Sequence, residues 1–294
     1  MQQFLVYLIV GVSFGSAYAL LALSINVIYA SSNVLNFAQG ELMMVGGMLS
    51  WALNVELGVP YYLTVLLTVV ITAALCGSSY FAIAMPLLRR KASLIAIVIG
   101  TLGFSIVLRI VAQLVFGKEG RPVHAPFGTT PLVIAGASIV PQTFVIIAVV
   151  AVVLGVLWWT YTRTAVGLVM RAVAYEPTGS KLVGINVSSV TATSFILGGG
   201  LAGLAGLLIA PLSYASPFAG LDYAIAGFAG AVIGGLGSWP GAVMGGLAVG
   251  LCQIFLAGYA SPNWASMGTF GLIILVLLLK PSGLFAERQA AATS

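Results

Sequence analysis

Continuous apolar runs constrain this chain more than any other feature of its sequence. The first run extends from Phe4 to Ala30, and similar runs recur along the rest of the chain. A helix needs about 20 mostly apolar residues to cross the roughly 30 Å of hydrocarbon in a bilayer. Only 6% of the residues are charged, against about 25% in soluble domains. The sequence therefore predicts an all-α, polytopic membrane protein with no soluble domain between its spans.

About eight or nine transmembrane segments are predicted, forming a single transmembrane domain over residues 1–294. The candidate spans are Phe4–Ala30, Asn33–Leu53, Tyr61–Leu88, Ser93–Phe116, Gln142–Tyr161, Val190–Leu212, Tyr223–Leu236, Ala242–Gly258 and Ala265–Leu279. The first run has neither a basic leading region nor a cleavage site, so we interpret it as a span and not as a signal peptide. Strands of a membrane barrel would alternate apolar and polar residues, which these runs do not.

The basic residues fall into three groups that indicate the topology. These groups are Arg89, Arg90 and Lys91; Arg163, Arg171 and Lys181; and Lys280 and Arg288. By the positive-inside rule, all three regions lie in the cytoplasm. If every span crosses the bilayer, the N-terminus is outside. If the short segment Tyr223–Leu236 is re-entrant, the N-terminus is inside, and the sequence leaves both arrangements open.

Two connecting segments are long enough to carry structure of their own. Segment 117–141 is rich in proline, and we expect it to form a small ordered cap on the outer side. Segment 163–189 is expected in the cytoplasm, as one or two short helices. Pro177 suits the first turn of a helix there, and Gly184 suits its end.

The segment SSNVLNFAQGELMMVGG, residues 31–47, interrupts the apolar sequence with amides and one carboxylate. Span Asn33–Leu53 must itself cross, and as a helix it would extend about 31 Å. Asn36, Gln39 and Glu41 would then lie roughly 5 to 12 Å into the hydrocarbon, where polar groups are costly unless they face protein or water. The pattern predicts a helix break followed by a restart, with Asn36 as the cap and Gln39 three positions on, as in a capping box.

Discontinuous helices of this kind line solute paths in transporters. The candidate pathway residues are Asn33, Asn36, Phe37, Gln39 and Glu41. The alternative is that these side chains only hold neighbouring helices together. We expect Arg109 to extend to the outer interface. Pairing with Glu41 is the weaker alternative, because the two residues are expected near opposite faces of the membrane.

A second unusual tract, Gly220–Gly250, is rich in glycine with small-xxx-small spacings such as Gly230 to Gly234. Close helix packing explains most of that pattern. The alternative is that two interrupted segments, one in each half of the chain, mark a central pathway. The halves share hydropathy, but we find no convincing residue-level repeat between them.

Motifs for nucleotide binding and metal binding are missing from the sequence. The only Gly-Lys pair, Gly117 and Lys118, is followed by Glu119 and cannot form a phosphate-binding loop. His124 has no neighbouring ligand set, so no metal site is predicted. Cys76 and Cys252 lie in apolar runs and are interpreted as buried packing residues without a disulfide. Enzymatic activity is not expected, so uphill transport would need a separate polypeptide that hydrolyses ATP.

Five stretches together resemble a known family over nearly the whole chain. They are GVSFGSAYALLALSINVIY, VLNFAQGELMMVGG, TAVGLVMRAVAYEPTGSKLVGINV, GGLGSWPGAVMGG and KPSGLF. The sequence resembles the inner-membrane permease subunits of bacterial ABC importers for branched-chain amino acids, the shorter of the two permeases that such systems pair. The NFAQGE string and the G-x-x-x-R-A-x-A pattern at Gly167 to Ala174 are the most specific motifs in combination.

The resemblance implies a type II importer permease in a bacterial inner membrane that moves leucine, isoleucine, valine or a similar apolar amino acid inward by alternating access. It implies as partners a second homologous permease, two ATP-binding subunits, an external solute-binding protein and membrane lipid, with no nucleic acid. ATP and Mg²⁺ would be used by the ATP-binding subunits, and this chain would carry no cofactor. Within segment 163–189, Gly167 to Val187 would form the coupling helix that docks in a groove on an ATP-binding subunit. The contact residues implied are Gly167, Arg171, Glu176, Lys181 and Gly184.

Two other functions stay open from the residues alone. A self-sufficient channel or facilitator for a small polar solute, such as urea or an amide, would use the same polar break without partners. A purely structural membrane subunit would tolerate alanine at Asn36 and Gln39 with no loss of solute flux.

Overall fold

A computed structural model describes residues 2–128, 130–134 and 137–285 of the chain. Its helices are α1 (Gln2–Ser32), α2 (Gln39–Ser50), α3 (Tyr61–Ser79), α4 (Met85–Arg89), α5 (Leu94–Phe116), α6 (Pro141–Arg163), α7 (Ala165–Tyr175), α8 (Pro177–Leu182), α9 (Val187–Ser213), α10 (Gly220–Gly234), α11 (Trp239–Tyr259) and α12 (Pro262–Leu279). π-Helical turns at Trp51–Glu56 and Tyr80–Ala84 extend α2 and join α3 to α4. Strands β1 (Leu132–Ile134) and β2 (Ala137–Ile139) pair as an antiparallel hairpin.

Within the described residues, 7 helices are long and apolar enough to cross a membrane. They are α1, α3 with α4, α5, α6, α9, α11 and α12. The two remaining predicted spans correspond to shorter helices, α2 with its π-helical turn and α10. The predicted polytopic all-α fold with discontinuous helices is therefore confirmed. Helices α5, α6 and α12 bury few of their residues, and most apolar side chains of α5 and α12 are exposed, as expected for surfaces that face lipid or another subunit.

One end of the bundle is marked by Arg121, and we refer to it as the Arg121 end. The backbone of Arg121 exchanges two hydrogen bonds with Ala215, of 2.7 and 2.9 Å, and its guanidinium lies 4.9 Å above the ring of Trp51. These contacts and the paired strands order the described part of segment 117–141, and its place on the outer side stays a prediction. Residues 129, 135 and 136 of that segment, like Arg288 of the third basic group, lie outside the described residues.

The opposite end of the bundle is marked by Trp239, and we refer to it as the Trp239 end. There the backbone N–H groups of Leu284 and Phe285 donate to the carbonyls of Ile233 and Gly234, at the end of α10. Because Ala215 is at the Arg121 end and Gly234 at the Trp239 end, the chain passes from one end to the other between them. This course favours a crossing over the re-entrant alternative for Tyr223–Leu236.

Helices α1, α10 and α11 pack backbone against backbone. The close pairs are Gly15 with Gly250, Ala19 with Gly246, Gly230 with Gly245, and Gly234 with Gly241. A Cβ atom added to any of these glycines would overlap or crowd backbone atoms of the partner helix. The interpretation of the late glycine tract as a close-packing surface is confirmed.

Segment 163–189 contains two short helices, as predicted. Thr164 begins α7 by accepting a hydrogen bond from the Gly167 N–H at 3.3 Å. Glu176 accepts one from the Thr178 N–H at 3.0 Å, and Pro177 is the first residue of α8. Gly184, with φ of 86°, follows the end of α8 in a left-handed conformation that suits glycine.

Candidate translocation site

The predicted helix break is present between α1 and α2. Helix α1 ends at Ser32, and Asn33 adopts a left-handed conformation with φ of 54° while its N–H donates to the Tyr29 carbonyl at 2.7 Å. Asparagine tolerates this conformation better than most residues, so it can end a helix. Residues 33–38 are not helical, and α2 begins at Gln39. The side chain of Asn33 is exposed. The left-handed backbone conformation that ends α1 explains why an asparagine is found here.

The predicted capping box is not formed. The residue before α2 is Ala38, with no side-chain cap, and the Asn36 carboxamide oxygen instead accepts a hydrogen bond from the Ala38 N–H at 3.1 Å. The Asn36 side chain therefore closes a local turn before α2, with the N–H two residues further on, and does not cap the helix. The side chain of Gln39 points away from Asn36 N–H towards groups on other helices.

The amide side chains of Asn36 and Gln39 are buried and converge on one sulfur atom. Gln39 Nε2 donates to Cys76 Sγ at 3.4 Å, and Asn36 Nδ2 donates to the same atom at 3.7 Å. The hydroxyl of Ser24 donates to Gln39 Oε1 at 3.3 Å. A thiol sulfur is a weak acceptor, so these amide donors are held by bonds that a stronger acceptor would replace. Cys76 and Cys252 are both free, as predicted.

Glu41 forms an ion pair with Arg109 of α5. The Arg109 Nε–H donates to Glu41 Oε1 at 2.9 Å, and the Nη2 group of Arg109 contacts the same oxygen. The Glu41 carboxylate is buried, and its Oε2 has no hydrogen-bond partner among the described residues. The expectation that Arg109 extends to the outer interface is wrong. A buried carboxylate at this depth is stabilised by a paired cation and by the first turn of a helix, where Glu41 lies.

The error in placing Glu41 has a geometric cause. The prediction advanced the chain by 1.5 Å per residue from Asn33, as in a helix. Residues 33–38 are not helical, and extended backbone advances by about 3.3 Å per residue. The non-helical segment can therefore carry Glu41 further than a helix would, to the level of Arg109, with which it pairs.

A second break, at residues 214–219, faces the first one. Along α2 and its approach, Phe37 stacks on Phe228 with 5.6 Å between ring centroids, Gly40 contacts Gly220, and Gly47 contacts Ala215. Partner numbers fall as residue numbers rise, so the two broken segments run antiparallel. The N-terminus of α10 meets the N-terminus of α2, and a Cβ atom on Gly220 would overlap the Glu41 carboxylate.

The two helix starts have the same local geometry. Ala38 precedes α2 with φ −76° and ψ −4°, and Ala219 precedes α10 with φ −72° and ψ −13°. Each alanine follows a phenylalanine, and each helix carries an acid in its first turn, Glu41 or Asp222. The sequence analysis missed this repeat. The signal was the shared pattern Phe-Ala-x-x-acid, at residues 37–41 and 218–222.

Space beside the break is narrow at one point and wider next to it. A cavity of about 10 Å³, room for about one water molecule, is lined by Phe37, Gln39 and Phe228 among others. A wider cleft of about 220 Å³ opens beside Asn33, and Leu35 lines both spaces. The space beside Asn36 and Gln39 therefore admits nothing much larger than water in this conformation. No group of three or more His, Cys, Asp or Glu side chains within the described ranges could hold a metal ion.

Residues 7–278 match the model of a family described as branched-chain amino acid transport system, permease component. The chain belongs to this family. The high-affinity branched-chain amino acid transport system permease protein LivH of Salmonella typhimurium is 30% identical over 98% of both chains. The corresponding BraD protein of Pseudomonas aeruginosa is 30% identical over 98% of this chain and 97% of its own. A probable LivH permease of Methanocaldococcus jannaschii is 29% identical over 90% of this chain and 85% of its own.

A solved structure shares the fold of this permease. The structure described as PsaBC from Streptococcus pneumoniae in complex with Fab aligns with a TM-score of 0.52, covering 96% of this chain and 93% of that one. At 12% identity this likeness concerns the fold alone. With its apolar helices and its family, the permease is a multi-pass inner-membrane protein.

Asn26 of the permease is a structural residue that the sequence analysis did not single out. It is fully buried on α1, and its Nδ2 donates to the carbonyls of Gly235 and Ser238 at 3.2 and 2.9 Å. These carbonyls belong to the turn between α10 and α11. The asparagine within the SINVIY stretch was the available signal, because an amide in the middle of a span needs partners.

The five residues implied as contacts for an ATP-binding subunit do not share one surface. Glu176, Lys181 and Gly184 are exposed, on or beside α8. Gly167 is buried, and a Cβ atom there would overlap the Tyr161 carbonyl oxygen, so this glycine permits close approach of α7 to α6. Arg171 is half-buried with its guanidinium over the ring of Tyr161.

Proposed function

We propose that this chain is the membrane-spanning subunit of an ATP-driven importer that moves a branched-chain or similar apolar amino acid inward. The relatives' names supply the substrate class, since LivH and BraD are named as branched-chain amino acid permeases. They also favour this function over a self-sufficient facilitator. The observation that carries the proposal is the pair of antiparallel helix breaks, with buried amides and stacked phenylalanines between them.

The break offers the chemistry that a zwitterionic, apolar amino acid needs. Among the described residues, the amide donors of Asn36 and Gln39 bond only to the Cys76 sulfur, and a carboxylate would be a stronger acceptor for them. The starts of α2 and α10 add positive ends of helix dipoles, which favour an anionic group at membrane depth. Phe37 and Phe228 would contact the apolar side chain. Opening between these rings would join the narrow cavity to the cleft beside Asn33.

We propose that energy for this opening comes from other subunits. The partners are two ATP-binding subunits, which use ATP and Mg²⁺, a second homologous permease and an external solute-binding protein. The permease itself carries no cofactor in this proposal. Alternating access would follow when the ATP-binding subunits move the segment 163–189.

The exposed face of α7 and α8 supports docking of an ATP-binding subunit. Tyr175, Leu182 and Val183 project apolar side chains, and Leu182 is 86% exposed. Lys181 and Glu176 lie among them and are exposed as well. Apolar groups ringed by charges suit a helix that lies in a groove on a partner. Docking is therefore proposed for Glu176, Lys181 and Gly184, with Gly167 and Arg171 acting beneath that surface.

Reversing the charge at Lys181 should weaken binding of the ATP-binding subunits. We expect Lys181→Glu to lower their recovery with the affinity-purified permease by roughly five- to thirtyfold, as for a lost interface charge worth about 1–2 kcal/mol. The measurement is the ratio of co-purified ATP-binding subunit to permease in detergent, at low and at high salt.

Lys118→Glu is the matched control, because Lys118 is an exposed lysine in the segment 117–141. It should leave the recovered ratio unchanged. The docking proposal is wrong if both substitutions have equal effects, or if the wild-type permease retains no ATP-binding subunit under any condition.

A further inference from the structure

Arg171 links segment 163–189 to the body of the bundle. Its guanidinium carbon lies 5.5 Å from the centroid of the Tyr161 ring, near the end of α6. A cation over an aromatic face is held electrostatically, and Arg171 is half-buried there. Met170, the neighbouring residue on α7, is buried. Helix α7 is thus attached to the bundle through its inner face, while α8 is exposed beside it.

Tyr161 stacks in turn on Trp239. The ring centroids are 3.9 Å apart and the planes differ by 22°. Trp239 is the first residue of α11, and the carbonyl of the preceding Ser238 is bound by Asn26. A single stack of two rings therefore joins the end of α6, beside α7, to the start of α11.

Helices α10 and α11 form a unit that resists internal movement. Gly234 contacts Gly241, and Gly230 contacts Gly245, with backbone against backbone. Interiors packed at this density transmit displacement instead of absorbing it. The far end of α10 meets Gly40 and Glu41 at the helix break. A displacement of Trp239 would therefore be carried along α10 to the break.

Apolar contacts around the stack connect the same elements. A second hydrophobic cluster contains Met170 of α7, Ala231 of α10 and Ala242 of α11, together with residues of α1. Tyr161, Trp239, Phe228 and Leu35 pack against it. Leu35 and Phe228 line the narrow cavity at the break. The cluster thus extends from α7, in segment 163–189, to the narrow cavity at the break.

We infer that the Tyr161–Trp239 stack transmits movement of α7 to the α10–α11 unit and so to the break at residues 33–41. This inference rests on the proposed function. Tyr161 and Trp239 are positioning residues in this scheme, since neither lines the two cavities at the break. Removing either ring should uncouple ATP hydrolysis from transport, while the ATP-binding subunits stay bound.

The test uses Tyr161→Ala and Trp239→Ala, singly and together, in the complete transporter reconstituted in liposomes. ATP hydrolysis and uptake of radiolabelled leucine are measured on the same vesicles. For each single variant we expect uptake to fall roughly tenfold while hydrolysis changes little, so that more ATP is used per leucine. The double variant should fall no further than the single ones, because both act through one contact.

Conservative and surface variants control for loss of structure. Tyr161→Phe and Trp239→Phe keep a ring at each position. For both variants, the ratio of ATP hydrolysed to leucine taken up should stay close to that of the wild type. Trp158→Ala removes a ring from the same helix, but Trp158 is 60% exposed and should have no effect on the ratio. If an alanine variant does not fold, the leucine variant at that position is measured instead.

An unchanged ratio of ATP to leucine in the alanine or leucine variants would overturn the inference. Loss of the ATP-binding subunits from these variants would also overturn it, since the stack would then serve docking. A wild-type transporter without ATP-dependent uptake would contradict the proposed function instead, so the two failures are distinguishable.

Discussion

Replacing Arg109 with alanine should destabilise the permease by about 3 kcal/mol and abolish transport, because it leaves the Glu41 carboxylate buried without its cation. Glu41 is 2% exposed and its second oxygen already lacks a partner among the described residues. The Arg109 side chain is 30% exposed. The expected loss of stability therefore lies at the lower end of the roughly 3–5 kcal/mol that breaking a buried ion pair costs. The measurement is the free energy of unfolding of the purified permease in mixed micelles.

Two further variants separate the ion pair from other effects of Arg109. Glu41→Gln combined with Arg109→Gln removes both charges, and it should recover most of the stability that Arg109→Ala loses, since no unpaired charge stays buried. Arg90→Ala is the matched control at an exposed arginine and should change the free energy of unfolding by less than about 0.5 kcal/mol. The ion-pair account is wrong if Arg109→Ala is as stable as Arg90→Ala.

Replacing Gly40 with alanine should separate the starts of α2 and α10 and lower transport by tenfold or more. The added Cβ would overlap the Gly220 carbonyl oxygen and the Ala224 backbone nitrogen, neither of which can rotate away. Overpacking of this kind costs about 1–3 kcal/mol, and each 1.4 kcal/mol corresponds to about tenfold. The measurements are initial uptake by the reconstituted transporter and the melting temperature of the permease.

Gly155→Ala is the matched control for this change. Gly155 lies within α6, and nothing is within 4 Å of the position that its Cβ would take. Alanine there should be neutral or slightly stabilising, by up to about 1 kcal/mol, because it favours helix. Equal transport by the Gly40 and Gly155 variants would contradict the close meeting of the two helix starts.

Much of the fold was predictable because hydropathy and turn residues act locally. The apolar runs predicted each span, and Pro177 and Gly184 predicted the limits of α8. The interruption at residues 31–47 predicted the break, since amides inside hydrocarbon need a structural reason. These conclusions depend only on residues that are neighbours in the sequence.

The contacts of the site depend on depth and on distant partners, which the sequence does not reveal. A capping box was predicted from spacing, but Asn36 bonds to Ala38 and Gln39 turns to Cys76, 37 residues away. The Glu41–Arg109 pair was ranked as the weaker alternative because a helical rise was assumed across a non-helical segment. The similarity of the two helix starts became visible only when Ala38 and Ala219 were found in the same conformation.

The most direct test of the account is uptake of radiolabelled leucine by liposomes that contain the complete transporter. Uptake is measured with and without ATP on the side of the ATP-binding subunits. The wild-type permease and the Gln39→Ala variant are compared, after checking that both retain the ATP-binding subunits. We expect uptake only with ATP, and a roughly tenfold lower rate for Gln39→Ala, as when one buried hydrogen bond of about 1.4 kcal/mol to the solute is lost. Leucine uptake by the permease alone, or an unchanged rate in Gln39→Ala, would contradict it.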